Sequence, residues 1–209
     1  MLLVQTFKWI LPITLIAALQ GCTFGETDVS QKQFNAAIAN PSPLGINYNK
    51  DSNSDAIHRA LPELSEMNLN MDKVALGNKL FHDKRLSTDN SMGCVFCHNT
   101  LKGGDDGFKT SIGVRGQIGP INAPTVLNSG FNFRQFWDGR SPDLQDQAHG
   151  PVNNPIEMGS NWDEVLPKIQ DDPYYVERFQ AVYGNKMDPN YITDAIAEYE
   201  RALITPSPF

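Results

Sequence analysis

The chain is poor in cysteine, histidine and positive charge. Its 209 residues hold three Cys and four His, and 17 Lys and Arg stand against 24 Asp and Glu, a formal charge of −7. The acidic excess argues against a nucleic-acid binder, which presents a basic face, and is compatible with a basic protein partner. Three cysteines, two of them in one C-x-x-C, build no disulfide framework. No apolar run approaches the roughly 20 residues of a membrane-spanning helix. No stretch alternates over strand length, and no internal repeat is present. What remains is a length suited to one compact domain with an arm, enough to bury a core.

The N-terminus reads as an export signal. Lys8 precedes a short apolar run from Trp9 to Leu19, followed by Gln20-Gly21-Cys22. The run has the length of a signal-peptide core. Leu19-Gln20-Gly21-Cys22 resembles the bacterial lipobox, whose cysteine is acylated and becomes the new N-terminus. The expectation is a signal peptide over 1–21, a tether over 22–70 and a domain over 71–209. Cleavage near Gly21 with a free Cys22 is the plainer alternative. Residues 23–60 are rich in Asn, Ser, Pro and Gly, which suits a tether carrying at most a short helix over 31–39. His58 in that stretch reads as solvent-exposed.

Beyond the tether the pattern is mostly α with long ordered loops. Asp72 is placed to cap a helix from Lys73 to Phe81. Further helices are predicted from Trp162 to Ile169, from Pro173 to Tyr183, and from Tyr191 to Ile204, the last with Ile192, Ile196, Tyr199 and Leu203 on one stripe. Between Gly103 and Gly130 glycine recurs and Pro120 and Pro124 intervene, so long regular elements are excluded. Long ordered loops in a compact domain need a function, or something large to wrap around.

Residues 93–99 read GCVFCHN. A structural zinc site needs about four ligands, and adjacent Cys97 and His98 rarely serve one small ion. A thioredoxin-type pair needs a βαβ setting, which is lacking. C-x-x-C-H is the pattern of covalent haem attachment. On one helical turn Cys94 and Cys97 reach the two vinyl groups at the porphyrin edge, and His98 binds the iron. Haem c also accounts for the loops, because a large apolar disc replaces core. With a sixth protein ligand, Met158 or His149, such a haem carries electrons; with an open face it binds and activates a small molecule. Glu157, beside Met158, is the carboxylate that peroxide cleavage requires.

Eight blocks resemble the N-terminal half of the bacterial dihaem cytochrome c peroxidases, relatives of the MauG enzymes. They are ALGNKLFHDKRLS, CVFCHN, GGDDGFKTSIG, GPINAPTVLN, FWDGR, DLQDQAHGPV, NPIEMG and YERALITPSPF, in that order. The resemblance implies a cytochrome c-like domain with a peroxidatic haem at Cys94, Cys97 and His98. It implies Glu157 as acid/base, Gln147 as the amide that orients peroxide, and Pro151 in the pocket wall. Trp137 would lie between two haems, and Asn122 would contact an interface calcium. Taken alone, Gln147 is equally a helix-surface amide and Trp137 a core aromatic. Asp138 and Arg140 are expected to pair with each other or meet a haem propionate, and His82 to pack.

Two departures stand out. Many relatives place an iron-capping histidine where this chain has Val114, and no second C-x-x-C-H is present. The function expected is reduction of hydrogen peroxide with electrons from a cytochrome or cupredoxin, on the periplasmic side of a bacterial membrane. A separate second haem domain is a conceivable partner. The other readings are a monohaem electron carrier and a haem domain that docks with such a second half. Cys22→Ser is expected to release the protein from membranes into the soluble fraction, read by fractionation. Wild-type protein found wholly soluble with a free Cys22 would remove the anchor.

Overall fold

The computed structural model describes residues 61–184 and 186–205. The signal segment, Cys22, His58 and the helix expected over 31–39 lie outside the described residues. Among the described residues there are five α-helices: α1 (Met71–Phe81), α2 (Leu144–Asn153), α3 (Trp162–Gln170), α4 (Pro173–Tyr183) and α5 (Pro189–Arg201). Short 3-10 turns punctuate the loops, and among the described residues there are only isolated β-bridges. None of these helices is long and apolar enough to cross a membrane.

Each helix starts on a side-chain cap. Asn70, not Asp72, caps α1 by accepting from the amides of Asp72 and Lys73. Asp143, Asn161, Asp172 and Asp188 cap the other four in turn, satisfying amides that have no intrahelical partner. Helix α2 is not among the helices expected from sequence, and it contains Gly150 and Pro151, which oppose a helix interior. The Asp143 cap and the stripe Leu144, Ala148, Val152 outweigh them, since all three stripe residues are buried. At the other end, α5 stops at Arg201 rather than running to Ile204. The Leu203 carbonyl is taken by the Asn128 amide at 2.7 Å, and Asn128 and Thr205 exchange two further bonds.

The core centres on the pairing of α1 with α5, against which α2 also packs. Val74, Leu76, Leu80 and Phe81 face Ile192, Ile196 and Tyr199 in a fully desolvated layer. A Cβ at Gly77 would run into the Ala195 carbonyl and the Tyr199 side chain. Glycine costs a helix interior about 1 kcal/mol, and the close approach offsets it. The turn after α1 is tied down from two sides. Asp83 accepts from Arg85 and from the Tyr175 hydroxyl at 2.7 Å, and Arg85 also reaches Asp172. Lys168 of α3 donates to the Ser87 carbonyl at 2.9 Å and to Asn90 at 3.1 Å. These bonds carry the chain from α1 into the cysteine turn at a fixed angle.

Gly77→Ala should force the two helices apart. Overpacking of this kind typically costs about 1–3 kcal/mol, so a lower denaturation midpoint is expected in urea. An unchanged midpoint would show that the crossing is loose.

Candidate functional site

Cys94 opens a 3-10 turn, Cys94–Phe96, that ends on Cys97. The amides of Cys97 and His98 both bond back to the Cys94 carbonyl, at 3.2 and 3.0 Å. One tight turn therefore presents both sulfurs and the imidazole. Both thiols are free and half-buried. Burial raises the Cys94 thiol well above its usual value, with Glu200 adding to the effect. Burial pushes the Cys97 thiol up to about 11, helped by the charges of Asp106 and Glu157. As free groups both are neutral thiols.

His98 is oriented by the loop that follows. Its Nδ1 faces the Gly104 carbonyl at 3.3 Å, with the Pro124 carbonyl close by. Nδ1 is therefore the protonated nitrogen, and Nε2 keeps a lone pair for a ligand. Burial pulls the imidazole below its usual pKa, which keeps it neutral. The Phe81 ring lies 6.5 Å from the His98 ring and Tyr199 stands behind Phe81 at 5.2 Å, so α1 and α5 back the imidazole. The Gly104 carbonyl also accepts from the Val126 amide, which folds the glycine-rich loop onto the turn.

A second wall is built from the 111–118 loop and the end of α2. The Val114 amide donates to the Glu157 carbonyl at 2.8 Å. Gly113 approaches the backbone of Ile156 and Glu157 so closely that no Cβ fits. The Glu157 carboxylate accepts from the Asn154 amide at 2.6 Å. Burial raises its pKa, while Asn154 and, more remotely, Arg140 oppose the rise. The Glu157 charge is also felt at Cys97. Gln147, Gly150, Pro151 and Asn154 follow at helical spacing on one face. The Phe136 ring covers Gly150 closely enough to exclude a Cβ. Phe136 holds this position at φ 65°, a strained value for a bulky residue, and Arg140 lies over its ring at 3.4 Å.

The other expected residues fall into place unevenly. Arg140 pairs with Asp138 at 2.9 Å, as one of the two expectations for it had it. Trp137 is not a core residue: it is 63 % exposed and donates to the Asn122 carbonyl at 3.2 Å. That bond occupies the backbone of Asn122, whose side chain is exposed and reaches only the Ala123 carbonyl at 3.4 Å. His149 Nε2 meets the Thr193 hydroxyl at 3.4 Å, and its ring packs edge-on against Trp162. Met158 is buried, its carbonyl taken by the Thr88 amide. Val114 is 1 % exposed and packs toward Gly159.

The residues fit a large apolar group. Around the cysteine turn Phe96, Leu101, Phe108, Ile112 and Ile118 are exposed although apolar. Beside Cys97, Asp106 Oδ2 is buried without a partner, and the Ser111 hydroxyl leans toward the sulfur without reaching hydrogen-bond geometry. Native structures seldom leave such atoms unpaired unless something else completes the site. Asp106 and Ser111 are site residues that sequence reasoning missed; GGDDGFKTSIG held the signal, but only the fold brings both onto Cys97.

A helical domain carrying a C-x-x-C-H turn backed by aromatic rings is of the cytochrome c class. Residues 71–209 match the family described as di-haem cytochrome c peroxidase, and the chain belongs to that family. It is 58% identical over 139 residues to cytochrome c peroxidase Ccp of Escherichia coli K12, covering 66% of this chain and 30% of that protein. It is 49% identical over 138 residues to cytochrome c551 peroxidase of Nitrosomonas europaea, covering 66% and 41%. The chain thus spans less than half the length of these relatives. Among solved structures, a MauG-like protein associated with microbial copper homeostasis superposes with a TM-score of 0.61 at 28% identity, covering 76% of this chain and 47% of the other. Family membership implies haem c as the cofactor.

Asn154→Leu should raise the Glu157 pKa further, because the lost amide hydrogen bond favours the ionised form. The titration of 13C-labelled glutamate carboxyls should show one resonance moving to higher pH. No movement would mean that the bond is not formed in solution.

Proposed function

We propose that this domain reduces hydrogen peroxide to water: H2O2 plus two electrons and two protons gives two H2O. The observation that carries the reading is Glu157, a half-buried carboxyl with a raised pKa and a charge felt at Cys97, held by Asn154 and tied through its carbonyl to Val114. Haem c, held through Cys94 and Cys97 and ligated by His98 Nε2, would supply the iron at which peroxide is split. The Gly104 carbonyl, by holding the proton on Nδ1, keeps the imidazole a strong donor to the iron.

From the second wall the Glu157 carboxylate would take a proton from one peroxide oxygen and return it to the other, which leaves as water. A raised pKa suits this work, because one group must both accept and donate near neutral pH. Asn154 keeps the carboxyl aimed. Gln147 sits two turns before Asn154 on the same helical face, and its amide orients peroxide by hydrogen bonds. Val114 offers no lone pair, so this loop supplies no ligand to block the iron. Trp137, exposed and hydrogen-bonded to the Asn122 carbonyl, is the relay through which electrons arrive from a donor cytochrome or cupredoxin, directly or through a second haem domain. A calcium ion at Asn122 would belong to the interface with that domain. The site of action is the periplasm, with the lipobox cysteine as anchor.

The electron-carrier reading keeps Met158 as a sixth ligand. His149 is a poorer choice, since Thr193 and Trp162 already engage it. The test is stopped-flow mixing of the ferric protein with peroxide. Glu157→Gln keeps the shape and removes the base, so the peroxide reaction should slow by about 10²–10⁴-fold, while Met158→Leu changes little. The ferric spectrum should be high-spin and shift on cyanide addition without prior reduction. A low-spin spectrum that Met158→Leu turns high-spin, with Glu157→Gln reacting normally, would make the domain a carrier.

A further inference from the structure

One side chain in the Glu157 wall takes no part in the proton transfer. Residues 111–118 form a narrow loop, closed by the bridge between Ile112 and Ile118 and by the Gly113 amide on the Gln117 carbonyl at 2.7 Å. Its tip turns through two successive left-handed residues, Arg115 at φ 58° and Gly116 at φ 75°. That region is uncommon for a residue with a Cβ, and such a conformation persists where the surroundings enforce it. Gln117 supplies part of that enforcement. Its side-chain amide donates to the Pro155 carbonyl at 2.8 Å and reaches the Val114 carbonyl at 3.3 Å. Among the described residues it is the one side chain of this loop that hydrogen-bonds across to the Glu157 turn. The rest of the contact is backbone: the Val114 amide on the Glu157 carbonyl at 2.8 Å, and the close approach of Gly113 to Ile156 and Glu157.

We infer that Gln117 is a positioning residue for Glu157: it clamps the loop tip onto the turn that carries the carboxyl and so fixes where the acid/base group stands. The inference rests on the peroxidase reading above. Pro155 lies two residues before Glu157, and Val114 is bonded to Glu157 itself, so one amide holds both sides of the contact. Without that amide the Pro155 carbonyl has no other protein donor among the described residues.

The neighbouring bonds do different work. Asn154 reaches the carboxylate directly at 2.6 Å and aims it. Its own carbonyl accepts from the Glu157 amide at 3.1 Å, so Asn154 belongs to the same turn and moves with it. Gln117 ties that turn to a separate stretch of chain. The base of that stretch carries Ile112 and Ile118, two of the apolar side chains left exposed around the cysteine turn. The clamp therefore joins the apolar face on which the haem would rest to the turn that bears the carboxyl. A positioning role also has a sharp consequence: every effect on the peroxide reaction must pass through Glu157.

The experiment is a double-mutant cycle on the holoprotein. Gln117→Leu removes the donor and keeps the approximate size. In stopped-flow mixing with peroxide it should react about tenfold to 10²-fold more slowly, the scale of a misplacement near 1 Å. Its covalent haem content and ferric spectrum should stay those of wild type. Glu157→Gln and the double variant Glu157→Gln/Gln117→Leu should react at the same rate, because a residue that acts only through the carboxyl has nothing left to position. A general loosening of the fold would instead slow both backgrounds alike. Hydrogen exchange gives a readout that needs no turnover. The Val114 amide should exchange roughly tenfold faster in Gln117→Leu. In wild-type protein the Gln117 side-chain amide should be protected, which keeps the test open even if Gln117→Leu folds poorly. With Glu157→Gln slow, three results would each overturn the inference: Gln117→Leu as fast as wild type, a slowing that persists in the Glu157→Gln background, or a Gln117 amide that exchanges freely. Failure of the peroxidase reading would look different, as Glu157→Gln reacting at the wild-type rate, and the exchange data would then still decide whether the clamp exists.

Discussion

The close crossing of α1 and α5 at Gly77 is the constraint on which the rest depends. With no side chain at that position, the α1 backbone meets the Ala195 carbonyl directly. That contact sets Phe81 against Tyr199 and, through Phe81, fixes the surface on which His98 rests. A wider crossing would loosen the imidazole. The fold thus uses one local concession, a glycine in a helix, to position the ring that backs His98.

The site has two sides of different construction. The His98 side is rigid because helices back it and a backbone carbonyl orients it. The Glu157 side is assembled from loops, and its shape depends on backbone contacts between the 111–118 segment and the turn after α2. Close approach at Gly113 and the strained Phe136 hold that wall, which a loop without such fixed points would not do. Strain of this kind persists only where the surroundings over-determine it. The two carboxyls, Glu157 and Glu200, are both raised by burial.

The apolar side chains exposed around the turn follow the same logic. Phe96, Leu101, Phe108, Ile112 and Ile118 would be a liability on a finished surface. Next to two free thiols and unpaired polar atoms they are instead the unfinished face of a core that a flat apolar group completes. The loops between Gly103 and Gly130 then need no strands of their own, because they fold back on the cysteine turn through bonds such as Val126 to Gly104.

The sequence by itself determined the C-x-x-C-H pattern, the helical class and the family. C-x-x-C-H is local: three side chains on one turn depend on almost nothing else. Capped, periodic segments such as Pro173–Tyr183 were legible for the same reason, since cap and stripe lie within a few residues. Helix α2 was hidden because Gly150 and Pro151 oppose it locally, and burial of Leu144, Ala148 and Val152 against α5 decides the matter. The exposure of Trp137, the engagement of His149 by Thr193, and the placement of Asp106 and Ser111 at Cys97 were decided only by the tertiary structure. So was Glu200, which in sequence is one more acid near a helix end. Its burial is set by what packs around α5, and desolvation, unlike a motif, is a property of everything that surrounds a residue in space.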